Sequence, residues 1–344
     1  MKLKPLGKTG IQVPAIVFGT SALGNLFKVL DPEVKLDIVR ESIRFTQPQT
    51  VFDSAGKYGA GLALEALGKS LKALEIPKEN VVISNKLGWV RSPLVGYEPQ
   101  FEPGIWKGLK YDAVQKISYE GILRCFEEGN ELLQGYVPQL VSVHDPDEYL
   151  AQAKNPEEEA RLFEDILEAY RALEDLKKQG LVKGIGVGAK DWKIIPRIYE
   201  HVNLDWVMFA NSMTIISHPK ELLDFMQKLS DQGVGIINSA IFQSGFLVGG
   251  DHYDYQLIHP DTEESKRKFD WRDQFFQVCK EFEIAPAHAC VQFGLSAPGV
   301  SSVALSTTES SKVKRNVIAT EQKLPEAFWS ELKNRSLLHE YSPV

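Results

Sequence analysis

Cysteine is scarce in this chain, basic residues form no block, and no apolar run reaches the length of about 18 residues at which a membrane span is suspected. Each shortage removes a class of function. The three cysteines, Cys125, Cys279 and Cys290, sit in helix-like apolar patterns rather than at metal-ligand spacing, and they read as buried free thiols. The net charge of −7 is spread along the chain, which makes nucleic acid and anionic membrane poor partners. The amino terminus, MKLKPLGKTG, has no apolar signal region, so a cytoplasmic location is expected. What is present is an ordinary globular balance, 43% hydrophobic and 25% charged over 344 residues. That length suits one large α/β barrel, which takes about 250 residues plus insertions, and a single domain over residues 1–344 is expected.

The most informative stretch is Val51 to Leu71, VFDSAGKYGAGLALEALGKSL. A short apolar strand ends in Asp53, glycines turn the chain past Tyr58, and Leu64, Leu67 and Leu71 then give a helix one buried face. Before it, LKPLGKTGIQVP reads as a hairpin, Val17 and Phe18 belong to a strand ending at Gly19, and Asp31 with Pro32 marks a helix start. After it, Val81–Ser84, Leu140–Val143, Gly184–Val187, Trp206–Phe209, Val234–Ile237 and Val303–Leu305 read as strands with helical patterns between them. Ser118 is expected to cap one helix, and Pro156 to Gln179 forms a long charged one closed by Gly180. About eight strands alternating with helices imply a parallel sheet, most economically closed into a barrel. Two connections, Gly88 to Ser118 and Gly249 to Lys268, are long and aromatic, as lids and binding loops are.

If strand ends converge, Asp53, Tyr58, Lys86 and His144 form an acid/base device for a carbonyl or alcohol. A tyrosine titrates near 10, so proton exchange nearer neutrality needs a cation beside the phenolate. Lys86 can supply it, Asp53 can hold Lys86, and His144 can bond a substrate oxygen or tune the tyrosine. Taken singly, each residue has a plainer reading: a turn cap, a half-buried phenol, a surface lysine, a strand-end turn. The segment HDPD from His144 is read as such a turn, and no metal site is expected. The run GIGVGA from Gly184 places its glycines within a strand rather than in the turn after it, so it reads as packed barrel strand rather than as a dinucleotide fingerprint.

The run FDSAGKYGAGLALEALG resembles the signature of the aldo-keto reductases, whose tetrad is an Asp, a Tyr five residues on, a strand-end Lys and a strand-end His. The resemblance extends through PLGKTGIQVPAIVFGTSALG, QGLVKGIGVG and GVSSVALSTTESSKVKRNV. It implies a (β/α)8 TIM barrel with an amino-terminal β-hairpin and long loops at the carboxyl-terminal face. Within the family, VSVHDPDEY, GIGVGAKDW, HYDYQLIHP and ACVQFGLSAPGVSSVALS look most like the branch of aldose 1-dehydrogenases that act on L-fucose, L-galactose or D-arabinose. The implied reaction moves hydride from the anomeric carbon to a nicotinamide and leaves an aldonolactone, with Tyr58 as general base. The same tetrad run the other way would make a general NADPH-dependent aldehyde or ketone reductase.

For the cofactor, the resemblance implies Gly19, Thr20 and Ser21 after the first strand, and Ser239, Phe242, Gly245 and Leu247 after the seventh. It further implies Ser306, Thr307, Lys312 and Asn316 at the adenosine ribose or its 2′-phosphate. Ser306 stands where a basic residue is common, and Lys312 where an arginine is usual. With one cation rather than two, NAD is the expected cofactor and NADP the alternative. Leu64 replaces a serine before Glu65, Gly188 and Ala189 replace a Ser-Asn pair that grips the carboxamide, and Met213 stands where a tyrosine is common. Trp89, Tyr253 and Tyr255 are the substrate candidates, because a sugar site combines flat apolar faces with a few polar groups. A small-molecule sugar is the expected partner. No heptad or exposed apolar stripe stands out, so the expected state is a monomer or a weak homodimer.

Overall fold

The computed structural model describes residues 1–344 and closes eight parallel strands into a barrel. The strands are β1 (Ile16–Gly19), β2 (Thr50–Ala55), β3 (Val81–Leu87), β4 (Leu140–His144), β5 (Gly184–Ala189), β6 (Trp206–Ala210), β7 (Gly235–Ser239) and β8 (Val300–Leu305). Each pairs with its neighbours in sequence, and β8 returns to β1 through Val303 opposite Ile16. This is the (β/α)8 barrel the alternation of patterns predicts.

Period-two alternation sorts each strand between two environments. Inner positions such as Val17, Val51, Val82, Leu140, Met208 and Ile237 share one cluster with Leu6, Ile11 and Val13. The last three belong to the expected hairpin, Leu3–Pro5 paired with Gln12–Pro14, which plugs one end of the barrel. Outer positions such as Phe18, Phe52 and Ile83 pack against α1 (Pro32–Thr46) and α2 (Leu62–Ala73), where Leu64, Leu67 and Leu71 are buried as their spacing requires.

The glycines of β5 are accounted for by packing. A Cβ at Gly186 would sit 2.4 Å from the Trp206 ring, and one at Gly188 would sit 3.2 Å from Cδ of Lys86. The strand carries glycine so that large inward side chains of its neighbours can fill the barrel, not to cradle a pyrophosphate.

Several local expectations need correction. Asp31 stands at the start of α1 but makes no capping bond, whereas Ser118 accepts from the Gly121 N–H at 3.1 Å to open α3 (Tyr119–Leu132). The connection after β3 is not simply a loop, because Trp89–Pro93 and Tyr111–Gln115 pair in an antiparallel hairpin. After β7, His252–Tyr253 and Gln256–Leu257 form a smaller one. The helix beyond it begins at Glu263 rather than near Lys268, because Thr262 caps it through the Ser265 N–H. All three cysteines are buried and unpaired. No helix is long and apolar enough to cross a membrane.

Candidate active site

Strand parity assembles the site. Asp53 is two residues beyond Val51, Lys86 is four beyond Val82, and His144 is four beyond Leu140, so each continues the inward row of its strand to the carboxyl-terminal end. Register completes the placement, with Asp53 opposite Ser84, Ala55 opposite Lys86, and His144 opposite Gly188. Tyr58 arrives from the turn between β2 and α2, its N–H held by the Ala55 carbonyl at 3.1 Å.

All four predicted residues come together. Lys86 donates to Asp53 in a buried ion pair, and Ser84 Oγ donates to the other carboxylate oxygen at 3.0 Å. The Lys86 ammonium lies 4.9 Å from the centre of the Tyr58 ring, and the His144 ring meets Tyr58 edge-on at 5.5 Å. Burial is the largest influence on the phenol. Together with the charges of Asp53 and Asp145 and the neighbouring Tyr255, it holds Tyr58 protonated well above the usual tyrosine range, while Lys57 acts in the opposite direction. His144 is kept neutral, first by burial and then by Lys57 and Lys86, and its Nδ1 has no partner. The site therefore presents a protonated phenol beside a neutral imidazole, with a cation underneath.

Around this centre stands a set of residues the sequence reading did not single out for the site. Lys57 is buried and pairs with Glu102 at 2.8 Å, Glu148 at 2.8 Å and Asp145 at 3.5 Å. Glu148, on the short helix α4 (Pro146–Leu150), also binds Lys190 at the end of β5. Trp106 donates from Nε1 to Glu102 at 2.7 Å and lays its ring 5.8 Å from Tyr58. Lys57 could have been noticed, since it directly precedes Tyr58. Trp106 is one of the aromatics that mark the long connection as a lid or binding loop, whereas Glu102 had no such signal, because only the folding of that connection brings it here.

The three substrate candidates divide. Trp89 lies under the Lys57 ammonium at 5.4 Å and beside Phe101, and Tyr255 lies under the Lys190 ammonium at 4.8 Å and acts on Tyr58. Tyr253 instead packs edge-on against Phe246 with Lys268 over its ring, so its contacts are with the flanking loop and the helix Glu263–Glu281.

The cofactor candidates line the opposite side of the barrel mouth, at the ends of β1, β7 and β8. Ser21 and Ser306 hydroxyls are hydrogen-bonded at 3.1 Å, Gly19 is packed against Ser306, and Thr20 is buried against Asp53 and Ser54. Ser239 donates to the Phe209 carbonyl, and Phe242 is partly buried between the two large core clusters. Leu247 is fully buried, backbone included, so it offers no exposed surface for contact. Gly245 has a φ of +100° with nothing within 4 Å of a Cβ placed there, a conformation and an opening suited to close approach by a ligand. Thr307 Oγ1 bonds the Glu309 backbone, Asn316 is partly buried, and Lys312 is already paired with Glu309 at 2.6 Å. Hydroxyls, an open glycine and one partly neutralised cation fit the ribose and pyrophosphate of a nicotinamide dinucleotide. Met213 is fully buried, so no side chain at that position offers a stacking face.

The family model described as the aldo/keto reductase family matches residues 15–336. The chain is 27% identical to a pyridoxal 4-dehydrogenase of Microbacterium luteolum, covering 97% of each chain. It is 24% identical to a D-threo-aldose 1-dehydrogenase of a Pseudomonas species, covering 96% of each. Among solved structures, the holo form of an aldo-keto reductase from Bacillus halodurans superposes over 100% of both chains with a TM-score of 0.71 at 19% identity.

Proposed function

The chain belongs to the aldo/keto reductase family of NAD(P)-dependent oxidoreductases, and on that basis we propose that it oxidises a cyclic hemiacetal at its anomeric carbon, an aldose of the L-fucose, L-galactose or D-arabinose type being converted at C1 to the aldonolactone. The observation that carries this reading is Tyr58 held between the Lys86 ammonium and the His144 edge. When bound, the nicotinamide cofactor supplies the hydride exchange. The side chains move the proton. Tyr58 takes the proton of the anomeric hydroxyl as the C1–H electron pair leaves and the carbonyl forms, and Lys86 stabilises the phenolate that must be present beforehand. Neutral His144 can donate an N–H to the same oxygen without competing for the proton. Trp89 and Tyr255, both half-buried, offer flat faces, and the half-buried Glu102 and Glu148 offer acceptors, a combination suited to a polyhydroxylated ring.

A second reading draws on the similarity to a pyridoxal dehydrogenase and on the two tryptophans near the site. Pyridoxal carries an aldehyde beside a hydroxymethyl group and closes to a cyclic hemiacetal, so its oxidation is the same chemistry on an aromatic ring. Reduction of NAD and of NADP should be followed at the nicotinamide absorbance band with L-fucose, L-galactose, D-arabinose, D-glucose and pyridoxal. Turnover of the first three well above glucose is the expected result. Turnover of pyridoxal alone would select the second reading, and activity only as NADPH-dependent reduction of simple aldehydes would overturn both.

The same assay tests cofactor choice. Glu309 places a carboxylate on the cation that would otherwise face a 2′-phosphate, which supports NAD. Glu309→Gln should raise kcat/KM for NADP roughly three- to fivefold and change that for NAD little, as suits an exposed charge.

A further inference from the structure

We propose that Lys57 is a positioning residue of the reaction: from its buried place between Asp145, Glu102 and Glu148 it sets the local field at the Tyr58 hydroxyl and at His144. This rests on Tyr58 being the proton carrier. The geometry has three parts. Lys57 is only 3% exposed, although lysine is rarely buried unless paired, and its three carboxylate partners come from the long connection, from the end of β4 and from α4. Asp145 Oδ2 is 3.5 Å from Lys57 Nζ and also 3.5 Å from His144 Nε2, so one carboxylate lies between this ammonium and the imidazole that touches Tyr58. Lys57 also adjoins Tyr58 in the chain, within the same turn.

The charges facing Tyr58 explain why a second cation matters. Lys86 is committed to Asp53, whose carboxylate offsets part of the effect of that cation on the phenol. Asp145 adds a negative charge from just past the end of β4, and Tyr255, from the small hairpin, acts on the phenol in the same direction. Farther out, Glu148 is shared between Lys57 and Lys190, and Glu102 reaches in from the long connection. His144 stays neutral among them. Without Lys57, the carboxylates of Asp145, Glu102 and Glu148 would face the site with Lys190 as their remaining cation, and loss of the Tyr58 proton would be disfavoured. The attraction of the three carboxylates keeps Lys57 itself charged despite its burial.

The test compares two members of the same ion pair. The pH profile of kcat/KM is measured for reduction of 4-nitrobenzaldehyde with NADH and with NADPH, and for oxidation of L-fucose, in the wild type, Lys57→Met, Lys57→Arg and Glu102→Gln. The expected result is that Lys57→Met moves the tyrosine limb up by about one pH unit, Glu102→Gln moves it down by roughly half a unit, and Lys57→Arg leaves it near the wild-type position. A purely structural tether would be damaged alike by Lys57→Met and Glu102→Gln. A limb that stays put, or moves the same way in both, therefore overturns the proposal. If Lys57→Met does not fold, the opposite shift in Glu102→Gln and the retention in Lys57→Arg carry the decision. Tyr58→Phe is measured in parallel: full activity in that variant, or no turnover of either substrate by the wild type, would refute the reading of Tyr58 and, separately from any limb shift, the role of Lys57 with it.

Discussion

Replacing Tyr58 by phenylalanine is expected to lower kcat by about 10²- to 10⁴-fold, the usual range for loss of a positioned general acid or base. The ring would remain, with its contacts to Trp106 and His144. KM should therefore change by only a few-fold, and the melting temperature should stay close to that of the wild type. Loss concentrated in kcat at constant KM means that the hydroxyl acts in the transition state rather than in binding. In the wild type, oxidation should accelerate as pH rises, because the base form of a phenol titrating well above its usual range becomes more populated with each unit. Activity within tenfold of wild type in Tyr58→Phe would remove the phenol from the mechanism and would direct attention to His144.

Breaking the pair beneath it should cost stability as well as activity. In Lys86→Met the Asp53 carboxylate would keep the Ser84 hydroxyl but lose its only counter-charge, in a place where both side chains of the pair are 5% exposed. Leaving one buried charge unpaired typically costs about 3–5 kcal/mol. Urea denaturation should show that loss as a lower midpoint. The double variant Asp53→Asn with Lys86→Met should recover a large part of it, because no uncompensated charge remains, while activity stays low since the cation under Tyr58 is gone. Equal destabilisation in the single and double variants would mean that the cost lies in packing around the Lys86 stem rather than in charge. Gly188 makes that alternative concrete, since it leaves little more than the width of that stem.

The sequence by itself determined the barrel and its tetrad. Hydrophobic period, turn residues and strand-to-helix alternation are local properties, and they fixed the eight strands within a few residues at each end. The tetrad was legible because each member sits at or next to a strand end, on a parity that a period-two pattern already defines for Asp53, Lys86 and His144. Tertiary structure alone decided what surrounds them. Glu102 is far from Lys57 in the chain, and only the hairpin of Trp89–Pro93 with Tyr111–Gln115 folds that connection back over the mouth, so no local pattern records their contact. The separation of Tyr255 from Tyr253 is of the same kind. Both lie within one short segment, yet packing turns one toward Lys190 and the other toward Phe246. Burial is likewise a property of the assembled chain, and it sets the protonation of Tyr58 and His144, because the charge on each depends on how much water the completed barrel leaves beside it.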